Sequence, residues 1–230
     1  MGTNRQKAIL AVGGAFNPVH TQHIALMHLV KRVVEETNRY QILSGHLAVA
    51  PEGYVRAKLN KHGMKDMHRL AMCNLAIRGH DWLHSCDRTY GSALDCGLRN
   101  KPAEDVMVAV VLGADRAMSI PERAKWRYPR KPGVVTVCVG RAGETARVRS
   151  CFQADLDAEL VVDPDTFLLI DEELSPVSST LVRSELHSFH QLRDPAKKQS
   201  FARRLVDQDY LCEEVVEYIL QHEADLYLDF

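Results

Sequence analysis

The segment Val106-Met107-Val108-Ala109-Val110-Val111-Leu112 puts seven apolar residues in a row without a polar interruption. A run of this kind suits a strand buried on both faces of a parallel sheet. Similar stretches at 7–13, 46–50, 133–139 and 166–170 read as further strands. Helical patterns lie between them at about 22–37, 64–79, 92–100 and 115–125. Strands that alternate with helices predict an α/β fold with a parallel sheet and helices on both sides. Ligands in such sheets bind at the carboxyl ends of strands. Within the first helix, Ile24, Met27, Val30, Val33 and Val34 read as core. From 178 onward the pattern is helical only, and Leu211, Val215, Val216, Ile219 and Leu220 share one helical face. The stretches 121–133 and 186–200, the second holding Pro195, read as loops. A chain of 230 residues is expected to form a single domain over 1–230.

Composition narrows the partners. A net charge of −1 argues against a nucleic-acid binder, which carries a basic excess. No apolar run approaches the ~20 residues that span a bilayer, and the first one is too short for a secretory signal. Met1-Gly2-Thr3-Asn4-Arg5-Gln6 has Gln6 where a myristoylation site needs Ser or Thr, and the ending Tyr227-Leu228-Asp229-Phe230 matches no retention or prenylation signal. Six cysteines without a C-x-x-C pair read as buried, reduced thiols. An intracellular protein of cytoplasm or nucleus is expected. His80, His84 and Cys86 fit no zinc spacing. The sequence leaves the oligomeric state open, a homo-oligomer included.

The chemistry is concentrated in two segments. In Gly13-Gly14-Ala15-Phe16-Asn17-Pro18-Val19-His20-Thr21-Gln22-His23, a strand ends in a glycine turn and a helix begins. Backbone N–H groups at a turn and a helix start are free for anions, and the helix dipole favours negative charge there. Glycine permits close approach of a phosphate. His20 and His23, three apart, lie on one face. The plainer alternative is a pair of helix-start histidines bonded to backbone. In Val177-Ser178-Ser179-Thr180-Leu181-Val182-Arg183, two hydroxyls and an arginine stand at a second helix start. Thr180 and Arg183 share a face, and an arginine fork matches phosphate oxygens. Here the alternative is an N-cap by Ser178 or Ser179 with Arg183 on the surface.

Together the two segments resemble the G-x-F-x-P-x-H-x-x-H and I-S-S-T-x-x-R signatures of the nucleotidyltransferase superfamily. Leu47-Ala48-Val49-Ala50-Pro51, Tyr54, His68-Arg69-Leu70-Ala71-Met72, Asp81-Trp82, Leu112-Gly113-Ala114-Asp115, Trp126, Arg141-Ala142-Gly143 and Val216-Glu217-Tyr218-Ile219 are similar to the eukaryotic nicotinamide mononucleotide (NMN) adenylyltransferases, in collinear order. That resemblance implies a Rossmann-like fold and transfer of AMP from ATP to NMN or nicotinate mononucleotide, with Mg²⁺ brought in by ATP and no metal held by the protein.

It also implies roles for individual residues. His23, His20 and Arg183 would act on the reacting phosphates. Gly14, Ala15, Phe16, Ser179, Thr180, Arg56 and Lys58 would bind ATP and its phosphates. Gly113, Asp115, Trp126, Arg141, Tyr54, Arg88 and Tyr90 would bind the mononucleotide or NAD, with Trp126 stacked near the nicotinamide ring. For Asp115 the alternative is a helix N-cap, for Trp126 a loop anchor, and for Arg141 a surface arginine. Arg88 or Tyr90 falls where relatives carry a tryptophan, which leaves the nicotinamide-versus-nicotinate preference open. Two other functions also stay open. One is adenylyl or cytidylyl transfer to another phosphate such as phosphopantetheine. The other is a non-catalytic NAD-binding or chaperone-like protein on the same fold.

Overall fold

The computed structural model describes residues 5–119, 125–127, 131–161, 163–175 and 177–228. Six strands form one sheet. They are β1 (Gln6–Gly14), β2 (Tyr40–Val49), β3 (Leu83–Ser85), β4 (Met107–Gly113), β5 (Val134–Gly140) and β6 (Phe167–Glu173), in the order β3-β2-β1-β4-β5-β6. β1/β4, β4/β5 and β5/β6 pair in parallel, with Ile9 opposite Val108 and Val108 opposite Val134. The helices are α1 (Thr21–Glu36), α2 (Glu52–Leu59), α3 (Asp66–Ala76), α4 (Ala93–Asn100), α5 (Ala114–Ala117), α6 (Thr145–Asp157), α7 (Ser179–His190), α8 (Pro195–Asp207) and α9 (Glu213–Gln221). This is the expected parallel α/β architecture with helices at the C-terminal end.

Two compact units divide the chain. The first comprises the chain up to Gly13, Leu26–His46 and Ser92–Leu174. One core cluster in it joins Ile9, Ala11, Val106, Val108 and Val134. α4 lies so close to β4 that a Cβ on Gly97 would collide with the Val108 side chain. A second cluster joins Ala114, Ala117, Trp126, Cys138, Val148 and Phe167. The second unit comprises Gly14–Ala25, Leu47–Gly91 and the chain from Ser175 on. Its core includes Leu47, Val55, Met72, Leu186, Leu205 and Ile219.

Several boundaries differ from the sequence reading. β2 begins six residues before the expected 46; within it the polar Ser44 and His46 satisfy one another (Oγ to Nε2, 2.9 Å). α2 and α6 were not expected; α2 buries only Val55, and α6 only Val148 and Asp155, so neither carries a clear apolar face. The expected loop 186–200 is largely helical. α7 runs on to His190, and Pro195 occupies the first turn of α8 behind the Asp194 N-cap, where a missing N–H costs nothing. The helix expected over 115–125 is recorded over Ala114–Ala117. Positions 120–124 of the expected helix and 121–124 and 128–130 of the expected 121–133 loop lie outside the described residues, as do 1–4 and 229–230 of the two terminal signals considered. No cysteine is in a disulfide, and Cys73, Cys86, Cys96 and Cys138 are buried. Among the described residues no helix is long and apolar enough to cross a membrane.

Candidate active site

The end of β1 and the start of α1 build one side of the candidate site, a cradle in the second unit. Gly14 leaves room there: a Cβ would stand 3.1 Å from the Phe16 ring, tight enough that the ring would have to shift. Phe16 has a positive φ of 43° and is buried. Asn17, fully buried, brackets the following loop. Its amide donates to the His62 carbonyl (2.8 Å) and accepts from the Met64 N–H (2.6 Å).

His20 and His23 close the start of α1 on each other. The His23 N–H donates to the His20 carbonyl (2.9 Å), and the His20 N–H donates to His23 Nδ1 (3.1 Å). The bond from the His20 N–H to the His23 ring is the return half of a capping box, with a histidine in place of the usual Glu or Gln. Because Nδ1 of His23 accepts, a neutral His23 carries its proton on Nε2. One expectation is corrected here. The N–H of Thr21 is taken by the Tyr210 carbonyl (3.3 Å) and that of His23 by His20. The helix start therefore offers an anion fewer free backbone donors than its position suggests, and the side chains become the main donors.

The second motif meets the first directly. His20 Nε2 lies 3.1 Å from Ser179 Oγ. Ser178, not Ser179, caps α7 by accepting from the Leu181 N–H (3.2 Å), which leaves the Ser179 hydroxyl available to His20. Arg183 Nη2 donates to Thr180 Oγ1 (3.0 Å), one turn along the same helix. The His20 and His23 ring centroids lie 3.7 Å apart with the planes tilted by 34°, and the Phe16 ring abuts His23 edge-on at 4.8 Å. Burial, followed by the nearby Arg183 charge, pushes the His20 imidazole down to about 4. Burial and His20 push His23 well below its ordinary value as well. Both rings are therefore neutral at physiological pH. The fixed positive charge of the cradle is Arg183, and His23 Nε2–H is a neutral donor.

The remaining expected residues fall into three groups. On α2, Arg56 pairs with Glu52 (3.2 Å), and the Lys58 ammonium lies over the half-exposed Tyr54 ring (5.8 Å). At the end of β2, the Tyr90 N–H donates to the Val49 carbonyl (2.8 Å), and the exposed Arg88 guanidinium lies over the Tyr90 ring (5.5 Å). The two residues weighed as alternatives at that position thus act as one pair.

The third group belongs to the first unit. Asp115 at the end of β4 faces Arg141 at the end of β5, with Oδ2 3.6 Å from Nη1. Gly113, not Asp115, holds the N-cap position of α5. Trp126 is placed differently from the stacking role expected of it. Only 2% of it is exposed, its ring packs against Phe152 and Phe167, and its Nε1–H donates to Asp155 (2.6 Å). It presents no open face to a ligand ring because the core and a buried carboxylate hold it.

The sequence reading missed three polar residues. Asn17 lay inside the first motif without a role. Asp155 takes a two-pronged contact from Arg127 (2.5 and 2.7 Å) besides the indole. Arg69 is fully buried and donates to three backbone carbonyls, those of Met64, Ala15 and Ala50. The carbonyl partners leave no mark in a sequence, although a charged residue within an apolar helical face is itself a signal. Among the described residues no group of three or more His, Cys, Asp or Glu could hold a metal ion.

The parallel sheet with its cradle at the end of the first strand is a Rossmann-like fold of the nucleotidyltransferase kind. The chain belongs to the cytidylyltransferase-like family, whose model matches residues 11–185. Over 81 residues, 35% of this chain, it is 28% identical to the nicotinamide/nicotinic acid mononucleotide adenylyltransferase 2 of Rattus norvegicus and covers 25% of that protein. It is 25% identical over 81 residues to the type 1 protein of Bos taurus, covering 35% of this chain and 27% of the relative. A probable nicotinate-nucleotide adenylyltransferase of Roseiflexus sp. (strain RS-1) is 28% identical over 191 residues, 76% of this chain and 83% of the relative. The aligned stretch thus spans about a quarter of the length of the animal relatives and most of the bacterial one.

Proposed function

We propose that this protein transfers AMP from ATP to nicotinamide mononucleotide and to nicotinate mononucleotide, forming NAD or deamido-NAD and pyrophosphate. The observation that carries the reading is the 3.1 Å contact of His20 with Ser179, which joins the two motifs into one cradle. His23 Nε2–H and the Arg183 guanidinium remain to meet an anion there. The names of the relatives support the choice of substrates.

In this reaction a phosphate oxygen of the mononucleotide bonds to the α-phosphorus of ATP. The bond from that phosphorus to the bridging oxygen breaks, and pyrophosphate leaves with the electron pair. The attacking phosphate carries about −1.5 to −2 charge at neutral pH, so no general base is required. What the protein must supply is alignment and charge stabilisation. His23 is assigned a hydrogen bond to the α/β-phosphates. Arg183, steered by Thr180, is assigned the charge that builds on the leaving group. Ser179 and His20 hold the two halves of the cradle in register, and Gly14, Ala15 and Phe16 admit the nucleotide. ATP enters as its Mg²⁺ complex. The cradle offers ring nitrogens, hydroxyls and a guanidinium but no carboxylate, a poor donor set for a hard cation, so the ion is assigned to the nucleotide.

Arg56, Lys58 and Tyr54 on α2 are assigned to the approach of phosphate and mononucleotide, and the Arg88–Tyr90 pair to the pyridine ring. Gly113, Asp115 and Arg141 are assigned to polar groups of the nucleotide, and Trp126 is the anchor of its segment. The test is purified protein with Mg²⁺ and ATP and one acceptor at a time, reading dinucleotide and pyrophosphate. Product with either pyridine mononucleotide is expected. Product with phosphopantetheine alone would move the protein to a sister reaction, and pyrophosphate release with no acceptor at all would overturn the reading.

A further inference from the structure

Arg69 projects from α3 into a fully buried position and carries a charge with nowhere ordinary to go. Its Nε donates to the Met64 carbonyl (3.0 Å), and its Nη1 donates to the carbonyls of Ala15 (2.9 Å) and Ala50 (2.8 Å). Nη2 is buried and has no hydrogen-bond partner among the described residues. Asp66 and Glu52 act on the guanidinium through space, but no ion pair with it is recorded among the described residues. A buried cation is costly to keep unless it is paired and fully bonded. A charge held against carbonyls alone, with one nitrogen left over, points to a use beyond stability.

The carbonyls it holds define the glycine turn. Ala15 is the turn itself, and Ala50 already donates its N–H to the Gly14 carbonyl (2.9 Å). Arg69 therefore clamps the segments that leave β1 and β2 to each other through Ala15 and Ala50, with bonds that its charge strengthens. A trans peptide points its C=O and N–H in opposite directions. With the Ala15 carbonyl turned toward Arg69, the Phe16 N–H is turned to the other side. The positive φ of Phe16 is a conformation that costs a non-glycine residue energy and persists only where the surroundings impose it.

We infer that Arg69 is a positioning residue: it sets the glycine turn so that the Phe16 N–H faces the bound polyphosphate, and its unpaired charge strengthens the hold on that anion. This rests on the proposal that the cradle takes ATP. Lysine keeps the charge at Arg69 but not the planar fork that reaches three diverging carbonyls.

The experiment compares Arg69→Met, Arg69→Lys and the control Met72→Ala, a buried position on the same helix. Each is measured for thermal midpoint, for ATP affinity by calorimetry without an acceptor, and for hydrogen exchange in peptides covering 13–18 and 48–53. Both Arg69 variants should bind ATP at least tenfold more weakly and exchange faster in those peptides. Met72→Ala, at a comparable loss of thermal midpoint, should stay within about twofold of the parent in ATP affinity. If Arg69→Met does not fold, Arg69→Lys decides. An Arg69→Lys protein that binds ATP like the parent, or Arg69 variants no weaker than Met72→Ala, would overturn the inference. If the parent protein itself fails to bind ATP, the functional reading falls. The exchange rates then judge Arg69 alone, and unchanged exchange at 13–18 would sink it.

Discussion

His23 spends Nδ1 on the His20 amide, and so the nitrogen free to meet a ligand is Nε2, with its proton attached. One preorganised donor of this kind contributes about 10²–10³ in rate. His23→Ala and Arg183→Ala are each expected to lower kcat/KM about a hundredfold or more while the far-ultraviolet circular dichroism stays that of the parent. Near-normal turnover in either would remove that residue from the cradle. His20 has a different task. Its ring stays neutral because burial and Arg183 hold its pKa near 4, so it can bond Ser179 without adding charge. A histidine NMR titration should show no His20 midpoint above about 5, and Arg183→Ala should move that midpoint upward. A midpoint near the ordinary 6.5 would mean that the ring is open to water. These residues were legible because their spacing carried them. Asn17 and Arg69 were not, since their partners are backbone carbonyls and amides that any sequence would provide. Trp126 misled for a related reason: an aromatic residue in a polar stretch looks open until Asp155, far along the chain, takes its N–H.

α7 shows how a helix end can serve both stability and chemistry. Ser178 caps it, and Ser179, Thr180 and Arg183 in its first turns are proposed as half of the cradle. Replacing an N-cap serine with alanine costs ~1 kcal/mol, and with glycine only a few tenths. Ser178→Ala should therefore lower stability by about 1 kcal/mol in urea denaturation and also reduce kcat/KM, whereas Ser178→Gly should do less of both. Loss of stability with unchanged turnover would separate the cap from the site. The neighbouring α8 illustrates why helix ends were harder to read than strands. Pro195 looked like a loop marker, yet Asp194 accepts from the Ala196 N–H (2.9 Å) and starts a helix there. α2 and α6 escaped because a helix that buries one or two residues leaves almost no 3.6-residue signature. The strands β1, β4, β5 and β6 were recognisable from continuous apolar runs, while three-residue β3 was too short to register. The sheet order itself depends on pairings that no single run encodes.

Both units hold groups whose pKa values are shifted by folding, and the sign of each can be worked out. In the second unit His20 titrates near 6.5 when unfolded and near 4 when folded. Between those values the unfolded chain binds more protons, so stability falls as the pH drops from 6.5 to 4 and is level with respect to this group below that. The full difference is on the order of 3 kcal/mol. His23, also held well below its ordinary value, acts in the same direction. In the first unit, hydrogen bonds from Arg127 and Trp126 hold the Asp155 carboxyl below its ordinary 3.8. Its contribution is complete above the unfolded value and is lost only as the pH falls through the lower, folded one. Acid should therefore weaken the protein in two steps, first across 6.5 to 4 through the histidines and then below about 4 through carboxylates held low, Asp155 among them with Glu223 and Asp225. Thermal midpoints measured from pH 8 to pH 3 can separate them. His20→Asn should flatten part of the upper step and leave the lower one. Asp155→Asn should lower the midpoint at neutral pH, because it removes the charge that Arg127 and the Trp126 indole both bond, and should blunt the decline below pH 4 without touching the upper step. If His20→Asn leaves the slope between pH 6.5 and 4 unchanged, the neutral, buried state assigned to His20 is wrong, and with it the picture of neutral histidines beside a charged Arg183.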